Sequence, residues 1–203
     1  MVDHSLYVHE SRRHIILLYV DDLVLAASFS DVITWIKELL RKQFEMTDLG
    51  ELASFIGIQG VRDRAQRTPK ISQGSYISRV LTDHGMGWCA AVATPVEGGT
   101  KLEKSGEGFI ADPENRIQYQ SAVGSLMYAM LGSRPDIAYA VGLVSQFSTN
   151  LNSQHWAAVT QIFRYLAGTR GLGILDEKSS NFLGYTDSDW AGSKDRKSTS
   201  RYM

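Results

Sequence analysis

Two adjacent aspartates, Asp21 and Asp22, interrupt a long apolar stretch near the start of the sequence. Apart from this pair, residues 15–27 are Ile, Leu, Val, Ala and one tyrosine. Neighbouring carboxylates repel each other unless a positive group compensates them. Mg²⁺ is a suitable compensator, since it prefers carboxylate, water and phosphate oxygens. The pair is therefore a candidate metal site, although aspartate is also common in turns and a purely structural turn remains an alternative.

The apolar runs on either side of the pair predict two buried strands joined by a hairpin, with the aspartates at or near its tip. Residues 5–10 alternate and predict a third strand of an antiparallel meander. A helix capped by Ser30 or Asp31 is expected next, because apolar residues recur at spacings of three and four. Such a helix would cover one face of the sheet and leave the other for a substrate.

The middle of the chain predicts a strand over residues 52–61, followed by the densest basic cluster of the first half. Its members are Arg62, Arg64, Arg67 and Lys70. Two interpretations carry equal weight: the cluster tracks a phosphate backbone, or it is a solvated hairpin tip. A helix capped by Ser72 is expected to follow.

The glycine-rich residues 97–115 contain few apolar side chains and predict a flexible linker. Beyond it, apolar spacing predicts three helices, over residues 119–130, 137–147 and 156–166, the last capped by Ser153. Near the end, a short strand over residues 182–186 leads into Asp187 and a turn of small residues. From spacing alone, Asp187 and Asp189 fit a surface turn.

Composition sets outer limits on function. The chain has 203 residues, 43% hydrophobic and 21% charged, as in an ordinary globular protein. A net charge of −1 argues weakly against a nucleic-acid binder. The single cysteine excludes an internal disulfide, and no apolar run approaches the roughly 20 residues that span a bilayer. We expect an intracellular protein, cytoplasmic or nuclear, without membrane contact.

The segment Tyr19-Val20-Asp21-Asp22 between hydrophobic strands resembles the polymerase signature of reverse transcriptases. With its flanking residues it is similar to the copia-type retrotransposon version. Further stretches resemble the same family, and they are residues 44–50, 55–58, 75–77, 93–96, 119–128, 134–138, 155–156 and 164–169. The end of the chain, from Phe182 to Gly192, resembles the opening strand of a ribonuclease H.

This resemblance implies an α+β fold: a partial polymerase palm of antiparallel sheet and helices, a helical connection, and the first strand of a ribonuclease H-like domain. The implied divisions are palm and thumb 1–96, linker 97–115, connection 116–170 and ribonuclease H start 171–203.

The resemblance also implies roles for particular residues. Asp21 and Asp22 would hold Mg²⁺ or Mn²⁺ for nucleotidyl transfer, and Tyr19 would lie beside the primer end. Asp187 occupies the position of the first metal-binding aspartate of the ribonuclease H. The implied partners are an RNA template, a DNA primer or RNA–DNA hybrid, and deoxynucleotides.

Both metal sites are expected to be incomplete in this sequence. The family's polymerase uses a third aspartate on an earlier strand, and only fourteen residues precede Ile15. Two-metal chemistry needs several carboxylates around both ions, so we expect little activity from the chain alone. The alternatives are a non-catalytic nucleic-acid- or protein-binding remnant of a retroelement, and a soluble α+β domain whose Asp-Asp turn is structural.

Overall fold

A computed structural model describes residues 4–9, 14–104, 106, 112–176, 186–189 and 199–202. The chain divides into two compact units, residues 1–55 and residues 56–203. Antiparallel sheets and helices make up both, which confirms the α+β class. The predicted divisions at residues 96, 115 and 170 stay predictions.

The first unit is built on the predicted three-stranded meander, in the order β1 (Leu6–His9), β2 (His14–Tyr19) and β3 (Asp22–Ala27). Both pairings are antiparallel. The strands are less buried than their apolar sequences predict: Ile15 is 41% exposed and Leu18 is 37% exposed. The expectation of buried strands is wrong for these side chains because, within the described part of this unit, a single helix packs on the meander.

That helix, α1 (Ser30–Arg41), buries Ile36 and packs on β3. Its N-cap is Phe29 and makes no side-chain capping bond, so the predicted cap at Ser30 or Asp31 is wrong. Outside the helix, Asp48 accepts hydrogen bonds from Lys37 Nζ at 2.7 Å and Arg41 Nη2 at 3.0 Å. The Lys37 bond, a bond from the Gly50 amide and the two cations hold the pKa of Asp48 below its usual value.

The predicted strand over residues 52–61 is divided in two. β4 (Ser54–Phe55) ends the first unit, and β5 (Ile58–Asp63) follows a turn at Ile56 and Gly57, both with positive φ. The Tyr128 hydroxyl donates a hydrogen bond to Ile56 O. Isoleucine rarely adopts positive φ, so its presence at residue 56 does not indicate a turn. For this reason the break between β4 and β5 was not predicted.

β5 pairs with β6 (Thr68–Ser72), and β6 pairs with β7 (Gly173–Leu175), which lies far along the chain. Helix α2 (Gly74–Asp83) follows β6 directly. Its N-cap is Gln73, without a side-chain capping bond, so the predicted cap at Ser72 is wrong.

The three helices predicted after the linker are present and form the core of the second unit together with α2. They are α3 (Pro113–Gly132), α4 (Ala138–Ser145), which follows a 3₁₀ turn at Pro135–Ile137, and α5 (Ser153–Gly168). Their inward side chains, such as Leu126 and Leu166, are almost completely buried. Because α3 begins at Pro113, the last residues of the predicted linker are helical.

The cap of α5 is Asn152 rather than the predicted Ser153. Asn152 Oδ1 accepts hydrogen bonds from the amides of Gln154 and His155, and His155 Nδ1 accepts one from the Asn152 amide. Burial lowers the pKa of His155, with partial opposition from a backbone contact to Glu103. This capping contribution is therefore complete above the ordinary histidine pKa and declines as the pH falls below it.

A buried arginine joins the end of α3 to the end of α5. Arg134 is fully buried, and its Nε and Nη2 donate to Asp136 at 2.9 and 2.7 Å. Its Nη1 and Nη2 also donate to the carbonyl oxygen and the hydroxyl of Thr169, and the Tyr165 hydroxyl donates to Asp136. We call these four residues the Arg134 network.

At the end of the chain, β8 (Thr186–Asp189) pairs with β9 (Thr199–Tyr202). The sequence predicted a strand ending at residue 186, and residues 182–185 lie outside the described part of the chain. The described strand begins where the predicted one ends, so Asp187 lies within a strand rather than after it.

Candidate metal and nucleic-acid site

The two aspartates lie at the tip of the β2–β3 hairpin, as predicted. Tyr19 pairs with Asp22 at the last ladder position, which leaves Val20 and Asp21 as a two-residue turn. Both carboxylates are exposed. The hairpin thus carries two carboxyl groups at one end of the sheet, one in the turn and one on the first residue of β3.

Val20 has a φ of +52° and a side chain that is 79% exposed. Positive φ suits a tight two-residue hairpin, but for a β-branched residue it is an outlier that costs roughly 1–3 kcal/mol. The neighbouring strand pairing, which is regular from His14 to Tyr19, holds the turn in this conformation. The position of the carboxylates is therefore set by a strained backbone.

Replacing Val20 with glycine should stabilise the first unit by about 1 kcal/mol, because glycine adopts positive φ without strain and little buried area is lost. Urea denaturation measures the change. The matched control is Val8→Gly in β1, another exposed valine whose φ is not positive, which should instead destabilise by about 0.5–1 kcal/mol. Equal losses in the two variants would contradict the assignment of strain to Val20.

Tyr19, predicted to lie beside the primer end, sits at the end of β2 next to the turn. Its side chain is 52% exposed, and its ring meets that of Phe55 edge to face, with centroids 6.1 Å apart. The contact fixes the ring on one side and leaves the rest of it open. A half-exposed aromatic ring adjoining two carboxylates is suited to contact a bound ligand.

The ligand atoms at the hairpin are of the type that a hard divalent cation prefers, but they come from two residues. Asp21 and Asp22 supply carboxylate oxygens, and their exposure leaves space for water and phosphate oxygens. Within the described ranges, no group of three or more His, Cys, Asp or Glu side chains is arranged to hold a metal. The arrangement can therefore provide two protein ligands to an ion whose remaining ligands come from elsewhere.

The four predicted basic residues lie on the β5–β6 hairpin of the second unit. Arg62 pairs with Pro69, whereas Lys70 pairs with Val61, so the side chains of Arg62 and Lys70 start from opposite faces of the ribbon. Arg64 and Arg67 lie in the exposed turn between the strands. Lys70 Nζ donates to Gly171 O at 3.1 Å. The structure thus places the four on one hairpin but not on one face.

Asp187, the predicted ribonuclease H ligand, lies in β8, where its Cα is paired with that of Arg201. Its side chain is outside what the structure describes. The structure brings Asp21 and Asp22 together and leaves the role of Asp187 as a prediction.

Sequence reasoning missed an aromatic residue on the surface of the second unit. Trp88 follows α2 and is completely exposed, and a cleft of about 370 Å³ beside it is lined by Ser78, Thr82, Cys89 and Arg170 among others. Tryptophan side chains are highly buried on average, so a sequence pattern favours placing Trp88 in the core. The loop contains no charged residue that would indicate a binding surface. In the local sequence Gly87-Trp88-Cys89-Ala90, the small residues beside Trp88 are the one feature that could have indicated an exposed ring.

Residues 1–98 match the family described as reverse transcriptase (RNA-dependent DNA polymerase). The Pol polyprotein from transposon TNT 1-94 of Nicotiana tabacum is 43% identical over 199 residues, which is 96% of this chain and 15% of that protein. The Pol polyprotein from transposon RE1 of Arabidopsis thaliana is 35% identical over 200 residues, which is 95% of this chain and 13% of that protein.

An uncharacterized mitochondrial protein of Arabidopsis thaliana is 34% identical over 194 residues, covering 92% of this chain and 76% of that protein. No solved structure matches the chain. Among the described residues, no helix has the length and apolar character needed to cross a membrane. The similarity covers the hairpin and both units, and the chain belongs to the family of retrotransposon Pol polyproteins, with a reverse transcriptase match over residues 1–98.

Proposed function

We propose that the β2–β3 hairpin is the metal-binding hairpin of a retrotransposon reverse transcriptase. The observation that carries the proposal is the placement of two adjacent, exposed carboxylates, Asp21 and Asp22, at the tip of a two-residue turn within the segment that matches that family. The chain spans 15% and 13% of the length of the two transposon polyproteins above. The activity proposed is that of the whole polyprotein.

In that setting Asp21 and Asp22 bind Mg²⁺ or Mn²⁺ through their carboxylate oxygens. The bound ions would supply positive charge to the phosphates that react during nucleotidyl transfer. The turn at Val20 places both residues at the tip of the hairpin, where their exposed carboxylates can reach an ion. Tyr19 lies next to them and contacts the primer end.

The proposed substrates are deoxynucleotides, an RNA template and a DNA primer or RNA–DNA hybrid. Arg62, Arg64, Arg67 and Lys70 are proposed to contact phosphates of the nucleic acid from both faces and the tip of the β5–β6 hairpin. Salt should weaken these contacts, since each phosphate contact releases counterions.

The proposed domain arrangement follows the family. Residues 1–96 form part of the palm and thumb, 97–115 a linker and 116–170 a helical connection. Residues 171–203 begin a ribonuclease H-like domain in which Asp187 binds metal. Two-metal nucleotidyl transfer needs several carboxylates around both ions, and the hairpin supplies two. We therefore expect the chain alone to bind metal weakly and to extend no primer.

Manganese titration followed by NMR tests the metal site. Paramagnetic broadening should appear first at the amides around Asp21 and Asp22, and should be lost when both are replaced by asparagine. Asp31→Asn, a change at an exposed aspartate of α1 in the same unit, is the matched control and should leave the broadening unchanged. Broadening spread evenly over surface acids would refute the proposal.

A further inference from the structure

The surface around Trp88 holds an exposed ring on a fixed backbone. Arg170 Nη2 donates to Gly87 O at 2.9 Å, and Arg164 Nε donates to Ala90 O at 2.8 Å. At Gly168, an added Cβ would lie 2.8 Å from the Ala91 Cβ, so the end of α5 approaches the loop closely. Three contacts thus fix the backbone on both sides of Trp88, and the exposure of the ring follows from the fold.

The two arginines keep hydrogen-bonding capacity after bracing the loop. Each guanidinium has five N–H donors and makes one of the hydrogen bonds just described. Both side chains are half-buried rather than enclosed, and Arg170 lines the cleft beside Trp88. Arg170 Nε is buried and has no hydrogen-bond partner among the residues that the structure describes, so the donors left for a ligand are those of its two Nη groups. The hydroxyl-bearing residues Ser78 and Thr82 line the same cleft.

The charge of the elements that form this surface is positive. Residues 68–96 and 153–176 contain four cations and two acids, in a chain whose net charge is −1. The cations are Lys70, Arg79, Arg164 and Arg170, and the acids are Asp83 and Asp176. Lys70 Nζ reaches Gly171 O, the carbonyl next to Arg170. The loop from His84 to Val96 contains no acid and no formally charged residue.

These features distinguish between a protein partner and a nucleic-acid partner. Protein hot spots lie inside a rim of side chains that exclude water, whereas Trp88 is flanked by Gly87 and Cys89 and is completely exposed. A single nucleic-acid strand needs an aromatic ring on which a base stacks and cations within reach of its phosphates. The surface offers both.

We propose that Trp88, Arg164 and Arg170 form a second binding site, which takes a single nucleic-acid strand by stacking one base on the Trp88 ring and contacting adjacent phosphates with the arginines. The choice of nucleic acid agrees with the proposed function, but binding at this site requires neither Asp21, Asp22 nor a metal ion.

Fluorescence anisotropy with a labelled oligo(dT) of about 12 nucleotides, in EDTA and low salt, tests the proposal. Trp88→Leu should weaken binding roughly tenfold, because it removes the stacking surface. Trp88→Phe should retain most of the affinity, since it keeps an aromatic ring. Because the side chain is fully exposed, circular dichroism and the thermal midpoint should be unchanged in both variants.

Two controls separate this site from others. Tyr139→Leu removes another exposed aromatic ring of the same unit and should leave affinity unchanged. The double Asp21→Asn, Asp22→Asn variant should bind the strand normally, so failure of the metal site does not affect this test. Equal affinity of the wild-type protein and Trp88→Leu would overturn the proposal. Self-association of the protein that Trp88→Leu abolishes, without a change in oligonucleotide affinity, would assign the surface to a protein contact instead.

Discussion

Replacing Arg134 with methionine is expected to lower the free energy of unfolding of the second unit by about 3 kcal/mol. The arginine is completely buried and donates to both oxygens of Asp136 and to two oxygens of Thr169. Methionine fills part of the volume but removes the N–H donors of the Thr169 hydroxyl and of Asp136, and leaves the Thr169 carbonyl with its bond from the Leu172 amide alone. Urea denaturation followed by helical circular dichroism measures the loss.

The matched control is Arg116→Met, which removes an exposed arginine from α3 and should change stability by no more than about 0.5 kcal/mol. Tyr165→Phe removes one hydrogen bond to Asp136 and should cost about 1 kcal/mol. A loss at Arg134 no greater than that at Arg116 would show that the network does not join the two helices.

The Arg134 network also predicts the direction of a pH effect. Burial opposes ionisation of Asp136, but hydrogen bonds from Arg134 and Tyr165 and the charge of Arg134 outweigh it and hold the pKa of Asp136 below its usual value. This stabilisation is complete above the ordinary carboxyl pKa and is lost as the pH falls through the lower, folded-state pKa. Arg134→Met should reduce that acid-dependent loss.

Replacing Gly173 with alanine is expected to destabilise the second unit by about 1–3 kcal/mol. A Cβ at this position would lie 2.1 Å from Ile71 O and 2.9 Å from Ser72 Cβ. The first of these is a backbone atom of β6, so no side-chain rotation relieves the overlap, and β7 must move away from its partner. Hydrogen exchange should accelerate at the amides that pair β6 with β7.

Gly171→Ala is the matched control for this variant, since a Cβ at Gly171 meets nothing within 4 Å and the residue has no positive φ. It should leave both the unfolding free energy and the exchange rates nearly unchanged. Similar behaviour of the two alanine variants would mean that β7 is not held against β6 as the register indicates.

The elements that a local pattern defines could be predicted from the sequence. Alternation and apolar runs predicted the meander, and spacings of three and four predicted the helices, because strand and helix periods differ. The aspartates at the hairpin tip followed from the same pattern. The helix caps were wrong by one residue at α2 and α5 because several polar residues adjoin each helix start, and the choice among them depends on backbone geometry.

Features that depend on distant partners could not be predicted. Arg134 reads as a surface charge before a helix, and its partner Thr169 lies 35 residues away. The exposure of Trp88 depends on arginines of α5 and the turn after it. The pairing of β7 with β6 could not be predicted either, because register across a long separation leaves no local sequence signal.

The pairing of β7 with β6 also sets an order of assembly. Lys70 and Gly171 are 101 residues apart. During translation β6 is therefore made before β7, and synthesis of the helices between them takes on the order of 5–20 s at typical rates. During that time the edge of β6 that later receives β7 is unpaired and able to accept another chain. β6 contains Pro69 and Lys70, the two residue types that natural sheets place on edges to prevent such pairing. In the finished sheet Pro69 and Lys70 lie in an interior strand, yet they are residue types typical of an edge strand. They can therefore protect β6 during the interval in which it is still an edge strand.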